Sequence, residues 1–224
     1  IENLSKEHIN EIIDLADKYI KNKSNKFKDL EGKTIASLFF EPSTRTKTTF
    51  ELATKRLSAD FINIDIANSS TLKGESILDM IKTLEAMECD MFIVRHSSSG
   101  TPHYIAKEVG NKISIINAGD GIHAHPTQAM LDMYTIKKHK GNFENLNVSI
   151  VGDILHSRVA KSLIASLKIL SVKNINVIGP KNLMPENINE IGVNYFSNLE
   201  EGINHADVII MLRLQQERMK EAFI

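Results

Sequence analysis

Ser43, Thr44, Arg45 and Thr46 stand together between two apolar segments. Before them runs Thr34-Ile35-Ala36-Ser37-Leu38-Phe39-Phe40, which reads as a buried strand. After them Phe50, Ala53 and Leu57 recur at helical spacing. The first turn of a helix leaves backbone N–H groups unpaired and carries a partial positive charge. A phosphate placed there would meet amide donors, hydroxyls and a guanidinium together. The same pattern also describes an ordinary capped helix with a solvated arginine, and these four residues alone leave the two readings level.

The arginines extend the argument. The chain has 27 lysines and arginines, of which only six are arginine: Arg45, Arg56, Arg95, Arg158, Arg213 and Arg218. Lysine therefore does most of the ordinary solvation. Arg45, Arg95, Arg158 and Arg213 each follow a strand-like run. Ligands of open α/β sheets bind outside the carboxyl ends of strands, and the guanidinium fork suits carboxylate and phosphate. Four such placements point to a polyanionic ligand, although Arg95 would equally serve by pairing with an acid at its strand end. Arg218, in the polar run Gln215-Gln216-Glu217-Arg218, reads as part of a solvated helix face. His123-Ala124-His125 has no acid or cysteine at ligand spacing, so it is not read as a metal site.

These residues must be held by a scaffold of sufficient size. The 224 residues, 42% hydrophobic and 25% charged with a formal net charge of −1, describe a soluble globular protein of one or two domains. Near-neutral charge argues against general nucleic-acid or membrane binding. No apolar run approaches the roughly 20 residues that cross a bilayer. The single cysteine, Cys89, excludes an internal disulfide framework, suits a reducing compartment and reads as a small buried apolar residue. The start at Ile1 is expected to be trimmed or partly ordered, and it does not resemble a signal peptide.

Strand and helix patterns alternate. Helix is expected over 4–20, with Ile9, Ile12, Ile13, Ala16, Tyr19 and Ile20 as its apolar stripe, then over 76–87, 101–109 and 126–138. Strands are expected at 34–40, 61–66, 91–94 and 113–117. After a polar junction at 137–145 the rhythm resumes. Strands are expected at 148–151, 175–178, near 193–196 and at 207–212, and helices at 157–170, 186–191 and 199–205. Short links between alternating elements imply parallel sheets covered by helices. The expected fold is α/β, with two doubly wound parallel-sheet domains, 1–136 and 137–224, the second incomplete at its C-terminus.

Five segments together resemble the aspartate carbamoyltransferase catalytic chain, within the aspartate/ornithine carbamoyltransferase superfamily. They are Phe39-Phe40-Glu41-Pro42-Ser43-Thr44-Arg45-Thr46, Ser69-Ser70-Thr71-Leu72-Lys73-Gly74-Glu75, His125-Pro126-Thr127-Gln128, Gly152-Asp153-Ile154-Leu155-His156-Ser157-Arg158 and Arg213-Leu214-Gln215. They stand in the family's order and at its spacings, and the resemblance spans essentially the whole chain. It implies transfer of a carbamoyl group from carbamoyl phosphate to the amine of L-aspartate, an early step of pyrimidine biosynthesis in the cytoplasm, without a cofactor or metal. It assigns Ser43, Thr44, Arg45 and Thr46 to the phosphate, with Thr46 and Arg95 near the carbonyl. His125 would donate to the carbonyl oxygen and Gln128 would hold the carbamoyl amide. Arg158, Arg213, Gln215 and Lys73 would bind aspartate. The family's loop around Ser69 and Lys73 reaches into a neighbouring subunit, which implies a homotrimer with shared sites, with or without regulatory chains.

The chain departs from the family pattern in two places. Lys47 stands where an arginine is common. After Ile224 no His-Pro-x-Pro loop or final helix follows, so the chain is expected to be C-terminally truncated. Ornithine carbamoyltransferase is the nearest rival, yet Arg158, Arg213, Gln215 and a neighbour's Lys73 suit a second carboxylate better than a cationic side chain, and Glu41-Pro42 favours the aspartate enzyme. A dinucleotide enzyme is disfavoured because Gly152 is followed by Asp153, Leu155 and Ser157 where a Gly-x-Gly-x-x-Gly turn needs glycines. A non-catalytic assembly domain is the remaining alternative, and Arg45, Arg95 and His125 argue against it.

Overall fold

The structure, a computed structural model, describes residues 1, 3–22, 25–66 and 76–215. Ser69 and Lys73, and also Arg218, lie outside the described residues. In chain order the elements are α1 (Lys6–Lys21), β1 (Thr34–Phe39), α2 (Thr44–Arg56), β2 (Asp60–Ile64), α3 (Ile77–Ala86), β3 (Met91–His96), α4 (Thr101–Val109) and β4 (Ser114–Asp120). They continue as α5 (Pro126–Lys140), β5 (Asn147–Val151), α6 (Arg158–Ile169), β6 (Asn174–Ile178), β7 (Asn194–Phe196), α7 (Leu199–Ile203) and β8 (Val208–Met211). The described residues form two compact units, Tyr19–Gly121 and Ile1–Lys18 with Ile122–Ile224.

The unit Tyr19–Gly121 is built on a parallel sheet of order β2-β1-β3-β4. Alternation along β1 sends side chains to opposite faces. Ala36 and Leu38 pack with Met80, Ile81 and Leu84 of α3 and with Ile105 and Val109 of α4. Ile35 and Phe39 pack on the other face, against which Phe50 of α2 lies. Because both faces are covered, β1 reads as a nearly continuous apolar run, interrupted by the buried Ser37. Cys89 is buried in the first of these clusters, as its apolar reading anticipated.

The second unit carries a parallel sheet of order β7-β6-β5-β8. One cluster joins Val148 and Ile150 of β5, Ile175 and Val177 of β6, Leu163 and Leu167 of α6, Met133 and Ile136 of α5, and Ile9 and Ile13 of α1. The compact units part ahead of α5, between Gly121 and Ile122, whereas the boundary expected from the sequence, between residues 136 and 137, falls within α5.

In each sheet the chain reverses its direction of winding once. From β1 it winds to β2 on one side, then crosses to β3 on the other; from β5 it winds through β6 to β7, then crosses to β8. These reversals, β1/β3 and β5/β8, are the switch points outside which α/β sheets bind ligands. Gly152 ends β5 at such a point with φ +125°, and a Cβ there would lie 2.8 Å from the Leu212 carbonyl oxygen. Only glycine admits that approach without strain.

Three local expectations change. Helix α2 starts at Thr44, ahead of the apolar periodicity that marked it, so the hydroxyl-rich segment is the helix's own first turn. The span 186–191 forms successive turns instead of a helix, with Ile188 N donating to the Pro185 carbonyl at 3.1 Å and Glu190 N to that of Asn187 at 2.9 Å. Pro185, two asparagines and Gly192 favour such turns. On α1 only Ile9 and Ile13 are buried, while Ile12 and Ile20 are 41% and 44% exposed.

Candidate active site

The β1/β3 switch point carries the first group. Ser43 is the N-cap of α2, but its side chain makes no capping hydrogen bond, and the first turn contains no acidic residue. Other caps in this chain behave differently: Ser76 accepts from Asp79 N and Ser157 from Ala160 N. Ser43 and Thr46 are half-buried, and Thr44 and Arg45 are exposed. The turn thus presents hydroxyls, a guanidinium and the positive end of a 13-residue helix.

Arg95 enters from the adjacent strand, opposite Phe39 in register. Its Nε donates to Glu41 Oε2 at 3.1 Å and its Nη1 to the Ala118 carbonyl at 3.4 Å. The two charged side chains are 14% and 19% exposed, so screening weakens this pair less than a surface one. The acid-pairing alternative weighed for Arg95 is therefore realised, and its partner belongs to the Phe39–Thr46 motif itself.

The second unit holds His125, Gln128, Arg158, Arg213 and Gln215. His125 is the N-cap of α5, followed by Pro126, whose fixed φ suits a first helical residue. The His125 N–H donates to Ser162 Oγ on α6 at 2.9 Å, and both residues are buried. Gln128 follows in the first turn of α5, and its Nε2 donates to Asp132 Oδ1 at 3.1 Å. Burial pushes the Asp132 carboxyl up to about 6, against the opposing effect of the Gln128 hydrogen bond.

At the β5/β8 switch point a buried carboxylate organises the remainder. Asp153 accepts from the His156 N–H at 3.0 Å, from His156 Nδ1 at 3.0 Å and from the Gln215 N–H at 3.3 Å. The turn after β5 is thereby tied to the segment after β8. Arg158, the first residue of α6, is only 2% exposed. Gln215 Nε2 donates to the Arg213 carbonyl at 3.2 Å, and Arg213 Nη1 donates to that of Leu214 at 3.2 Å.

The sequence-expected residues thus gather as two sets, Ser43, Thr44, Arg45, Thr46 and Arg95 in one unit and His125, Gln128, Arg158, Arg213 and Gln215 in the other. Glu41, Asp132, Asp153 and Ser162 were given no role from the sequence. Asp132 had a legible signal, its i,i+4 spacing from Gln128 on a helix. Asp153 had one too, in His156 three residues on, but Ser162 had none, since its long-range pairing with His125 cannot be read from neighbours in the chain.

Known proteins match this fold. Residues 1–138 match the family model described as aspartate/ornithine carbamoyltransferase, carbamoyl-P binding domain. The whole chain superposes on aspartate transcarbamoylase from Trypanosoma cruzi in complex with carbamoyl aspartate and phosphate, with TM-score 0.89, 31% identity, and coverage of 100% of this chain and 76% of that one. The complex of the same enzyme with carbamoyl phosphate and aspartate gives 0.89 and 31%, covering 98% and 72%. The catalytic subunit of M. jannaschii aspartate transcarbamoylase gives 0.84 and 34%, covering 99% and 74%. With a family model over more than half its length and whole-chain likeness to these enzymes, this chain belongs to the aspartate/ornithine carbamoyltransferases and has the aspartate transcarbamoylase fold.

Proposed function

We propose that this carbamoyltransferase moves the carbamoyl group of carbamoyl phosphate to the amine of L-aspartate, giving N-carbamoyl-L-aspartate and phosphate. The observation that carries the reading is the placement of cationic and hydroxyl groups at the switch point of each sheet, β1/β3 and β5/β8. The M. jannaschii and T. cruzi proteins, at 31–34% identity, are aspartate transcarbamoylases, and the T. cruzi complexes hold carbamoyl phosphate, aspartate or carbamoyl aspartate.

The chemistry needs alignment and charge stabilisation. The neutral amine attacks the carbamoyl carbon, a C–N bond forms, and a tetrahedral oxyanion develops. The C–O bond to phosphorus's oxygen then breaks, the amine's proton passes to the departing phosphate, and phosphate leaves. Ser43, Thr44, Arg45 and Thr46 hold the phosphate oxygens with the α2 N–H groups behind them. Thr46, Arg95 and His125 stabilise the developing oxyanion. Gln128 holds the carbamoyl amide, and Arg158, Arg213 and Gln215 bind the carboxylates of aspartate. Holding both reactants in place can remove about 7–11 kcal/mol of the barrier. By resemblance, Ser69 and Lys73 act from a neighbouring subunit of a homotrimer. Residues 1–136 would form the carbamoyl phosphate domain and 137–224 the aspartate domain, in a cytoplasmic enzyme of pyrimidine synthesis.

Assaying the full-length protein with carbamoyl phosphate and either aspartate or ornithine tests this reading. Turnover with aspartate and none with ornithine is expected; the reverse preference would overturn it. The cationic set around Arg158 and Arg213 favours aspartate, because ornithine brings a cation where aspartate brings a second carboxylate.

A further inference from the structure

We propose that Asp132 is a positioning residue that decides which end of the Gln128 side chain faces the carbamoyl group, so that the site selects a carbamoyl nitrogen. The inference rests on reading this as a carbamoyl phosphate site. Gln128 and Asp132 lie one turn apart on α5, both half-buried, with Gln128 Nε2 donating to Asp132 Oδ1 at 3.1 Å. Among the described residues the Gln128 amide is the one hydrogen-bond partner of this carboxylate, and no cation pairs with it. A carboxylate drawn partly out of water without a cation destabilises the fold. Packing alone gives no reason for a charge at this position, and perturbed carboxylates gather at functional sites.

The chemistry of the pair supplies the reason. A carboxylate accepts hydrogen bonds and donates none, so the Gln128 amide has to turn its NH2 toward Asp132. The carbonyl oxygen Oε1, which makes no hydrogen bond among the described residues, is then the end offered to a ligand. A carbamoyl nitrogen is conjugated with its carbonyl, so it has two N–H donors and no available lone pair. It requires acceptors, and Oε1 is one. A Gln128 amide turned the other way would set N–H against N–H. Without Asp132 the amide is free to adopt either orientation. A site that hydrogen-bonds an N–H rejects an analogue lacking it, because its own polar group is left unpaired. Acetyl phosphate is that analogue, with a methyl group in place of the amide nitrogen.

The test is the ratio of kcat/KM for carbamoyl phosphate to that for acetyl phosphate, with aspartate as acceptor. It is measured in the full-length wild-type protein and in Asp132→Asn and Asp132→Ala. Asn preserves the shape but can donate as well as accept, so both variants should lower the ratio, by about 10-fold for one lost hydrogen bond of this type. In a Gln128→Ala background the Asp132 changes should not lower the ratio further. A wild-type ratio in Asp132→Asn with an unchanged far-ultraviolet circular dichroism spectrum would overturn the inference, as would an undiminished effect in the Gln128→Ala background. Absence of carbamoyl transfer by the wild-type protein would instead overturn the underlying reading, so the two failures are distinguishable.

Discussion

Arg95 realises the acid pairing that its sequence position offered, and the proposed function gives it a ligand as well. Its Nε holds Glu41 at 3.1 Å, and such a contact fixes the plane of the guanidinium fork for a ligand. Arg95→Lys would keep the charge and lose the fork. The expected effect is a fall in kcat/KM of about 10- to 100-fold, the size of one charge-assisted hydrogen bond, with the urea midpoint little changed. Steady-state kinetics at saturating aspartate would measure it. Asp132 yields a second expectation, in stability. Its folded pKa is raised from 3.8 to about 6, so the native state binds the proton more tightly than the unfolded chain does. Stability therefore falls as pH rises through that window and stays lowered above it. Asp132→Asn carries no such charge, so its denaturation midpoint should gain on the wild type between about pH 4 and pH 6. Equal pH profiles for the two proteins would contradict the raised pKa. The residues proposed for the phosphate stood out because their types cluster in sequence, whereas the Asp153–Gln215 contact did not, since Gln215 meets Asp153 only through the fold.

Secondary structure was most legible where burial dictates pattern. The buried centres of β1, β3 and β5 read as mainly apolar stretches, as strands covered on both faces do, with Ser37 and Ser149 the buried polar exceptions. Helix α2 hid its start because Thr44, Thr46, Thr48 and Thr49 are weak helix formers, so its first turns carry no apolar period. Packing of Phe50 against the sheet fixes that helix instead. Strand order was beyond the sequence, since nothing local says that β3 pairs with β1 and not with β2. That order creates the switch points, and Gly152 is the residue that the β5/β8 one cannot spare. Gly152→Ala should destabilise the protein by about 1–3 kcal/mol through strain at positive φ. Because Leu212 leads into Arg213, it should also raise KM for aspartate more than KM for carbamoyl phosphate. Urea denaturation and the two KM values would check both parts, and an unchanged urea midpoint would contradict the close approach.

For the molecule as a whole, resemblance to the family carries what one chain cannot display. Sharing of sites between subunits through Ser69 and Lys73 is testable by mixing. Lys73→Ala and His125→Ala chains, each inactive alone, should regain part of the activity when dissociated and reassociated together. No recovery despite verified mixed assemblies would count against sharing. The two sets of site residues fall in separate compact units, and the proposed function gives the phosphate to the first and the carbamoyl group and aspartate carboxylates to the second. Steady-state assay of the full-length protein with carbamoyl phosphate, offering aspartate and ornithine in turn, probes that proposal. Carbamoylation of aspartate with no detectable carbamoylation of ornithine is expected, and turnover of ornithine in preference to aspartate would contradict the assignment of Arg158, Arg213 and Gln215 to a second carboxylate.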